Sequence, residues 1–181
     1  TDGAHPPHGR AHPAAYEAFL HSELLTAGGD NEAAAEELRT AISADATVAL
    51  LHLRLAALLS RVDGGAEEGL LACQKAEDLG TTPWEIAPLR ADLLRADRRP
   101  DDAIGVFDAL DPSDAPGEFF AAWVSFADQI GDRKARARAA ETWVAHHDDE
   151  PASWQALAMS MDLADERRAA ADAYGQAAEL P

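Results

Sequence analysis

The sequence predicts an all-α protein built as a stack of antiparallel helix hairpins, and three observations carry that prediction. First, small or apolar residues return about every 34 residues. One position reads Ala41, Ala76, Leu110, Trp143 and Ala177, with gaps of 35, 34, 33 and 34. A second, three residues upstream, reads Leu38, Cys73, Phe107, Ala140 and Tyr174, and a third, seven upstream, reads Ala34, Gly69, Ala103, Arg136 and Ala170. A period in this range marks an array in which each unit buries its apolar face on its neighbours. Second, hydrophobic residues make up 47% of the chain, yet much of that is Ala and aromatics are only 6%. Ala has the best helix propensity and lets helices pack closely. Third, chain breakers fall once per unit, and no run of alternating β-branched residues reads as a strand.

The elements follow in order. Residues 1–13 carry Gly3, Pro6, Pro7, Gly9 and Pro13 before any apolar period begins, and read as an extended arm. From Ala14 the chain divides into units of about 14–46, 47–82, 83–115, 116–150 and 151–181, each a helix A, a turn and a helix B. The turns are Gly28-Gly29-Asp30, Asp63-Gly64-Gly65, Asp97-Arg98-Arg99-Pro100, Gly131-Asp132 and Asp165-Glu166. Gly ends a helix by turning left-handed, Asp caps the next one, and Pro100 suits a first turn where its missing N–H costs nothing. In the last unit Trp154, Leu157, Ala158 and Met161 keep the helical i, i+3, i+4, i+7 spacing, with Ser153 or Asp149 expected to cap the start. In the fourth unit Arg136 stands where a small residue belongs, so a one-residue slip of its helix B stays open.

This array resembles the tetratricopeptide repeat family. The last unit carries the family's pattern best, in Trp154, Leu157-Ala158, Met161, Ala170, Tyr174 and Ala177. The first carries it through helix B, in Ala34, Leu38 and Ala41. The third supplies Ala103, Phe107 and Asp111-Pro112, and the second Leu55-Ala56, Leu59, Gly69, Cys73 and Ala76. The fourth fits helix A through Phe120, Trp123-Val124 and Ala127. The resemblance spans about 90% of the chain and looks bacterial, with Arg far outnumbering Lys. It implies a right-handed superhelical solenoid whose concave face, lined by the A helices, binds a peptide or helix of another protein.

The repeat register places Tyr16, Phe19, Leu50, Leu53, Arg54, Ala57, Arg61, Leu89, Asp92, Arg95, Ala121, Ser125, Asp128, Gln155, Met159 and Asp162 on that face. Tyr16, Phe19, Leu50 and Leu53 would take the apolar anchors of a partner segment. Arg54, Arg61 and Arg95 would take its carboxylates, because a guanidinium pairs with one through two bonds. Packing of Leu50 and Leu53 against a neighbouring hairpin, or against the arm, is the competing reading. The Lys/Asn clamp by which some repeats of this family hold a C-terminal carboxylate has no counterpart at these positions.

The formal charge of −18, from 33 acidic and 15 basic residues, disfavours nucleic acid and anionic membrane surfaces as partners. The single cysteine, Cys73, excludes an internal disulfide and sits at a packed repeat position. No apolar run is long enough to span a membrane. The chain begins at Thr1 without a signal-type apolar stretch, so export with the signal already removed and a cytoplasmic location both stay open. His5, His8, His12 and His21 read as part of a polar arm, and His146-His147 as a turn between units, not as metal ligands. No phosphate loop, nucleophile elbow or zinc-binding helix appears, and an acid pair such as Asp92 and Asp128 is unsurprising among 33 carboxylates. The expectation is therefore a non-catalytic scaffold or adaptor, with no cofactor or metal, that binds a partner protein in its groove. Two alternatives stand beside it: a structural subunit that associates through an uncapped edge near Tyr174 to Pro181, and an exported lipoprotein-like assembly factor.

Overall fold

Helix boundaries in the computed structural model, which describes residues 12–181, follow local chemistry. Most of the expected arm, including His5 and His8, lies outside the described residues. The helices are α1 (Pro13–Ala27), α2 (Asn31–Ala44), α3 (Ala49–Leu59), α4 (Ala66–Asp78), α5 (Pro83–Ala96), α6 (Pro100–Asp108), α7 (Gly117–Ile130), α8 (Arg133–His146), α9 (Pro151–Leu163) and α10 (Arg167–Glu179). No strand is present among the described residues. Asp30 caps α2 by accepting from Ala33 N–H at 3.1 Å, and Asp132 caps α8 by accepting from Lys134 and Ala135 N–H at 3.0 and 2.9 Å. These contacts satisfy donors that a helix start leaves unpaired. Pro13, Pro83, Pro100 and Pro151 each occupy a first turn.

The turns need a left-handed residue, and the chain supplies it in two ways. Gly29 and Gly131 take φ of 83° and 73°, whereas Arg98 and Asp165 take 60° and 62° in the equivalent turns. A side chain there costs conformational energy that glycine avoids. The expected cap of α9 is different. Neither Ser153 nor Asp149 caps it; Glu150 precedes the helix, and the Ser153 hydroxyl donates backwards to the carbonyls of His147 and Glu150 at 2.7 and 2.8 Å. Ser153 is the third residue of α9, so its hydroxyl reaches back to the carbonyls of the preceding turn and does not stand at the helix start, where a cap accepts from the first N–H groups.

Two compact units divide the chain: the first ends at Thr81 and the second runs from Thr82 to Pro181. In the first, α1 pairs with α2, α3 with α4, and α2 lies against α3. Its core is Ala and Leu: Ala34, Ala35, Leu38 and Ala41 on α2 meet Leu55, Ala56 and Leu59 on α3, with Cys73 and Ala76 buried on α4. Arg39 on α2 holds Glu68 on α4 through two bonds of 2.7 and 2.6 Å.

In the second unit α5 pairs with α6, α7 with α8 and α9 with α10, and α7 also touches α5 and α9. Its core is aromatic. Phe107 stacks on Trp123 with ring centres 6.0 Å apart, and Phe119 and Phe126 tilt against Phe107 at 5.8 and 5.6 Å. Arg136 settles the register question: it is buried, 2% exposed, at the small-residue position, and α8 does not slip. Its guanidinium donates to Ser160 Oγ on α9 and contacts Asp128 on α7 as an ion pair whose Nε–H is not aimed for a hydrogen bond. The Asp128 charge on one neighbouring helix and the Ser160 acceptor on another make the buried cation tolerable.

Candidate functional site

The A helices of the first unit, α1 and α3, form a groove with two chemically distinct ends. At one end Ala15, Tyr16 and Phe19 on α1 meet Val48, Leu50 and Leu51 on α3 around an apolar cavity of about 180 Å³. Tyr16 and Leu50 are exposed and Phe19 is half-buried, so their side chains are available to a ligand. At the other end Glu23 and Thr26 on α1 meet Arg54, Ala57 and Leu58 on α3 and Arg61 in the turn after it, over Leu38 of α2, around a smaller cavity of about 80 Å³. Leu53 is half-buried and lines neither. Val48, Leu51, Glu23 and Thr26 line the two cavities without having been singled out in the sequence. Val48, Leu51 and Glu23 sit about a turn or less from groove positions that were, and Thr26 about two turns from Phe19.

The two arginines differ. Arg54 Nε lies 3.7 Å from Glu23 Oε1, a loose pair between side chains that are 52% and 43% exposed, and such contacts add little stability. Arg61 is exposed and makes no ion pair among the described residues. Among the described residues, the polar end thus presents one engaged guanidinium and one without an ion-pair partner. Leu50 and Arg61 stand eleven residues apart on one chain segment, which at about 1.5 Å per residue places them roughly 16 Å apart.

The remaining sequence-derived positions lie in the second unit. Leu89 on α5 is half-buried, and Arg95 pairs with Asp92 of its own helix at 3.0 Å. On α7, Ala121 and Ser125 are exposed, and Asp128 is engaged by Arg136. On α9, Gln155 and Met159 are exposed, and Asp162 accepts from the Tyr174 hydroxyl at 3.4 Å. Because α7 touches both α5 and α9, these positions follow a row of adjoining A helices. Asp92 and Asp128 each have a basic partner of their own, which is a poor starting point for a shared-proton acid pair.

His146 and His147 have structural partners. His146 stacks on Phe120 at 6.1 Å, and His147 Nε2 lies 2.8 Å from the Ala115 carbonyl. Among the described residues no group of three or more His, Cys, Asp or Glu side chains is placed to hold a metal, and no helix is long and apolar enough to cross a membrane.

No family model and no curated sequence matches this chain. Solved structures do. MamA from Desulfovibrio magneticus RS-1, residues 41 to its end, is 16% identical with a TM-score of 0.58, covering 94% of this chain and 97% of that one. PilF of Pseudomonas aeruginosa is 17% identical at 0.57, covering 93% and 77%. PilW, described as a widely conserved type IV pilus biogenesis factor, is 16% identical at 0.55, covering 93% and 80%. These neighbours are tetratricopeptide repeat proteins. The chain has the tetratricopeptide repeat fold. In that register Tyr16 and Leu50 are equivalent residues of successive A helices, 34 residues apart, as are Phe19 and Leu53. The groove is therefore lined by recurring positions of the repeat, and its chemistry is set by what this chain places there.

Proposed function

We propose that the protein is a non-catalytic interaction scaffold that holds a segment of a partner protein in the α1–α3 groove. The observation that carries this reading is the adjacency of an apolar cavity bounded by Tyr16, Phe19 and Leu50 to a polar one bearing Arg61, which has no ion-pair partner among the described residues. An apolar cavity with exposed walls gives a hydrophobic anchor somewhere to go, and a guanidinium nearby orients the chain that carries it. The best ligand has an aliphatic or aromatic anchor and, roughly 16 Å further along, an Asp, a Glu or a chain-terminal carboxylate.

The test is gentle affinity purification from the source cells, with companions identified by mass, repeated with Leu50→Asp and Arg61→Glu. One stoichiometric companion is expected with the parent chain. Both substitutions fall on exposed side chains, so circular dichroism and melting should not change. Leu50→Asp should lower affinity by at least tenfold, about 1.4 kcal/mol, since it puts a charge on the wall of an apolar site. A companion retained by both variants would move binding off this groove, and recovery of copies of the chain alone would make it a self-associating subunit.

A further inference from the structure

Two departures from the repeat face each other in the second unit. Leu24 recurs as Leu58, Leu93, Phe126 and Ser160, with gaps of 34, 35, 33 and 34. Leu58, Leu93 and Phe126 are buried, Leu24 on the first helix is exposed, and Ser160 alone of these is polar. Arg136 in turn stands where Ala34, Gly69, Ala103 and Ala170 are buried. The arginine Nη1 donates to the Ser160 hydroxyl, so the two departures make one contact between α8 and α9. A serine is shorter than a leucine. Beside it opens a cavity of about 70 Å³ lined by Arg133, Arg136, Ala137, Ser160, Leu163 and Ala164. At roughly 10–15 Å³ for each occupant, that is room for about five non-hydrogen atoms.

The donors left over decide what fits. The Ser160 hydroxyl donates to the Ala156 carbonyl at 3.0 Å and accepts from Arg136, so it is satisfied. The Arg136 side chain is 3% exposed and meets Asp128 at its Nε edge. Among the described residues its Nη2 donors meet no acceptor, and Nη2, unlike Nε, is not sealed from solvent. Arg133, the first residue of α8, is exposed and has no ion-pair partner among the described residues. Two guanidinium groups therefore border one small space whose other walls include Ala137, Leu163 and Ala164. An uncharged apolar occupant would leave the Nη2 donors unmet. A phosphate would lose hydration against the apolar wall. A carboxylate on a short alkyl stem answers both demands: a guanidinium pairs with it through two bonds, and the stem covers the apolar side.

We propose that this cavity binds a short alkyl carboxylate of about the size of propionate, held by Arg133 and Arg136 with its stem against Ala137, Leu163 and Ala164. A free short-chain acid and a glutamate side chain of a partner carry this same chemistry. The site shares no residue with the α1–α3 groove, so either reading can fail alone.

The probe is sodium propionate, titrated into the isotope-labelled full chain against sodium chloride of equal ionic strength. Nuclear magnetic resonance follows the backbone amide signals of Ala137 and Ala164. Saturable shifts in the millimolar range are expected, as suits so small a ligand. Propionamide, which keeps the shape and lacks the charge, should bind about tenfold more weakly. Arg136→Met should weaken propionate about tenfold, and Arg133→Gln about threefold. Ala137→Leu, which fills the cavity and leaves both arginines, should abolish saturation. Arg133 is exposed, so its variant keeps the fold and tests the site even where a buried substitution disturbs it; circular dichroism checks each variant. Absent saturation, equal shifts with chloride, equal binding of propionamide or undiminished binding by Arg133→Gln would each overturn the proposal. Acetyl-glutamate methylamide separates the two sources. Tighter binding than propionate assigns the cavity to a partner's glutamate, and weaker binding assigns it to the free acid.

Discussion

The first unit buries Ala and Leu, and the second buries Phe and Trp, although both are built from the same kind of hairpin. Only two of the chain's aromatics, Tyr16 and Phe19, lie before Thr82, and both line the apolar cavity of the groove. In the second unit Phe107, Phe119, Phe120, Trp123 and Phe126 turn inward and are all buried. The lesson is about where large side chains are spent. Close packing of Ala and Leu in the core leaves Tyr16 of α1 and Leu50 of α3 available at the surface. The aromatic cluster consumes its own bulk in the core and leaves Ala121, Ser125 and Gln155 outward. A binding function is easier to build on the first arrangement, because apolar area that is still exposed can still be buried by a partner.

The hardest way to break the contrast is to remove the centre of each core. Phe107→Ala should destabilise the second unit by about 3–5 kcal/mol, and Leu38→Ala the first by about 2–4. Tryptophan fluorescence in urea reports only the second unit, since Trp84, Trp123, Trp143 and Trp154 all lie there, while far-ultraviolet circular dichroism reports both. If Leu38→Ala shifts the dichroism transition and leaves the fluorescence one in place, the units unfold separately. A cost below about 1 kcal/mol for Phe107→Ala would mean that the ring cluster is not the core it looks like.

A smaller effect separates charge from packing at Arg136. Arg136→Ala should cost about 2 kcal/mol, less than a fully buried pair because Asp128 is half exposed. Arg136→Met keeps the volume and removes the charge, and should come within about 1 kcal/mol of the parent. Equal losses in both variants would show that the ion pair and the Ser160 bond outweigh the packing. Urea titration by fluorescence reads both.

The smallest effect belongs to the first unit and depends on pH. The Glu68 carboxyl is held below its ordinary value of 4.5, chiefly by its hydrogen bond from Arg39, which outweighs the opposing effect of burial and is joined by a lesser pull from that residue's charge. A carboxyl lowered in the folded state stabilises the fold above its unfolded value and loses that contribution as pH falls through the folded value. Both side chains are more than a third exposed, so solvent screening limits the gain to about 0.5 kcal/mol. Glu68→Gln should lower the melting temperature slightly at pH 7 and leave it unchanged well below pH 4, relative to the parent. A difference that persists at low pH would assign the loss to packing.

Sequence by itself determined the helical class and the hairpin repeat. Helix period, turn residues and the recurrence of Ala41, Ala76, Leu110, Trp143 and Ala177 are local or periodic, and local preference agrees with the fold along nearly the whole chain. The recurrence of Leu24 through Ser160 was equally legible, yet spacing says only that the position repeats. Whether Leu24 is covered depends on what lies beside it, and that is a property of neighbours. Tertiary structure likewise decided that Ser153 donates instead of capping, and that Arg136 finds Asp128 and Ser160 on two other helices. It also decided that Arg54 is engaged by Glu23 while Arg61 has no ion-pair partner among the described residues. Each of those outcomes turns on a few ångströms between residues far apart in the chain. Periodicity reports which face a side chain is on, and only packing decides what that face meets.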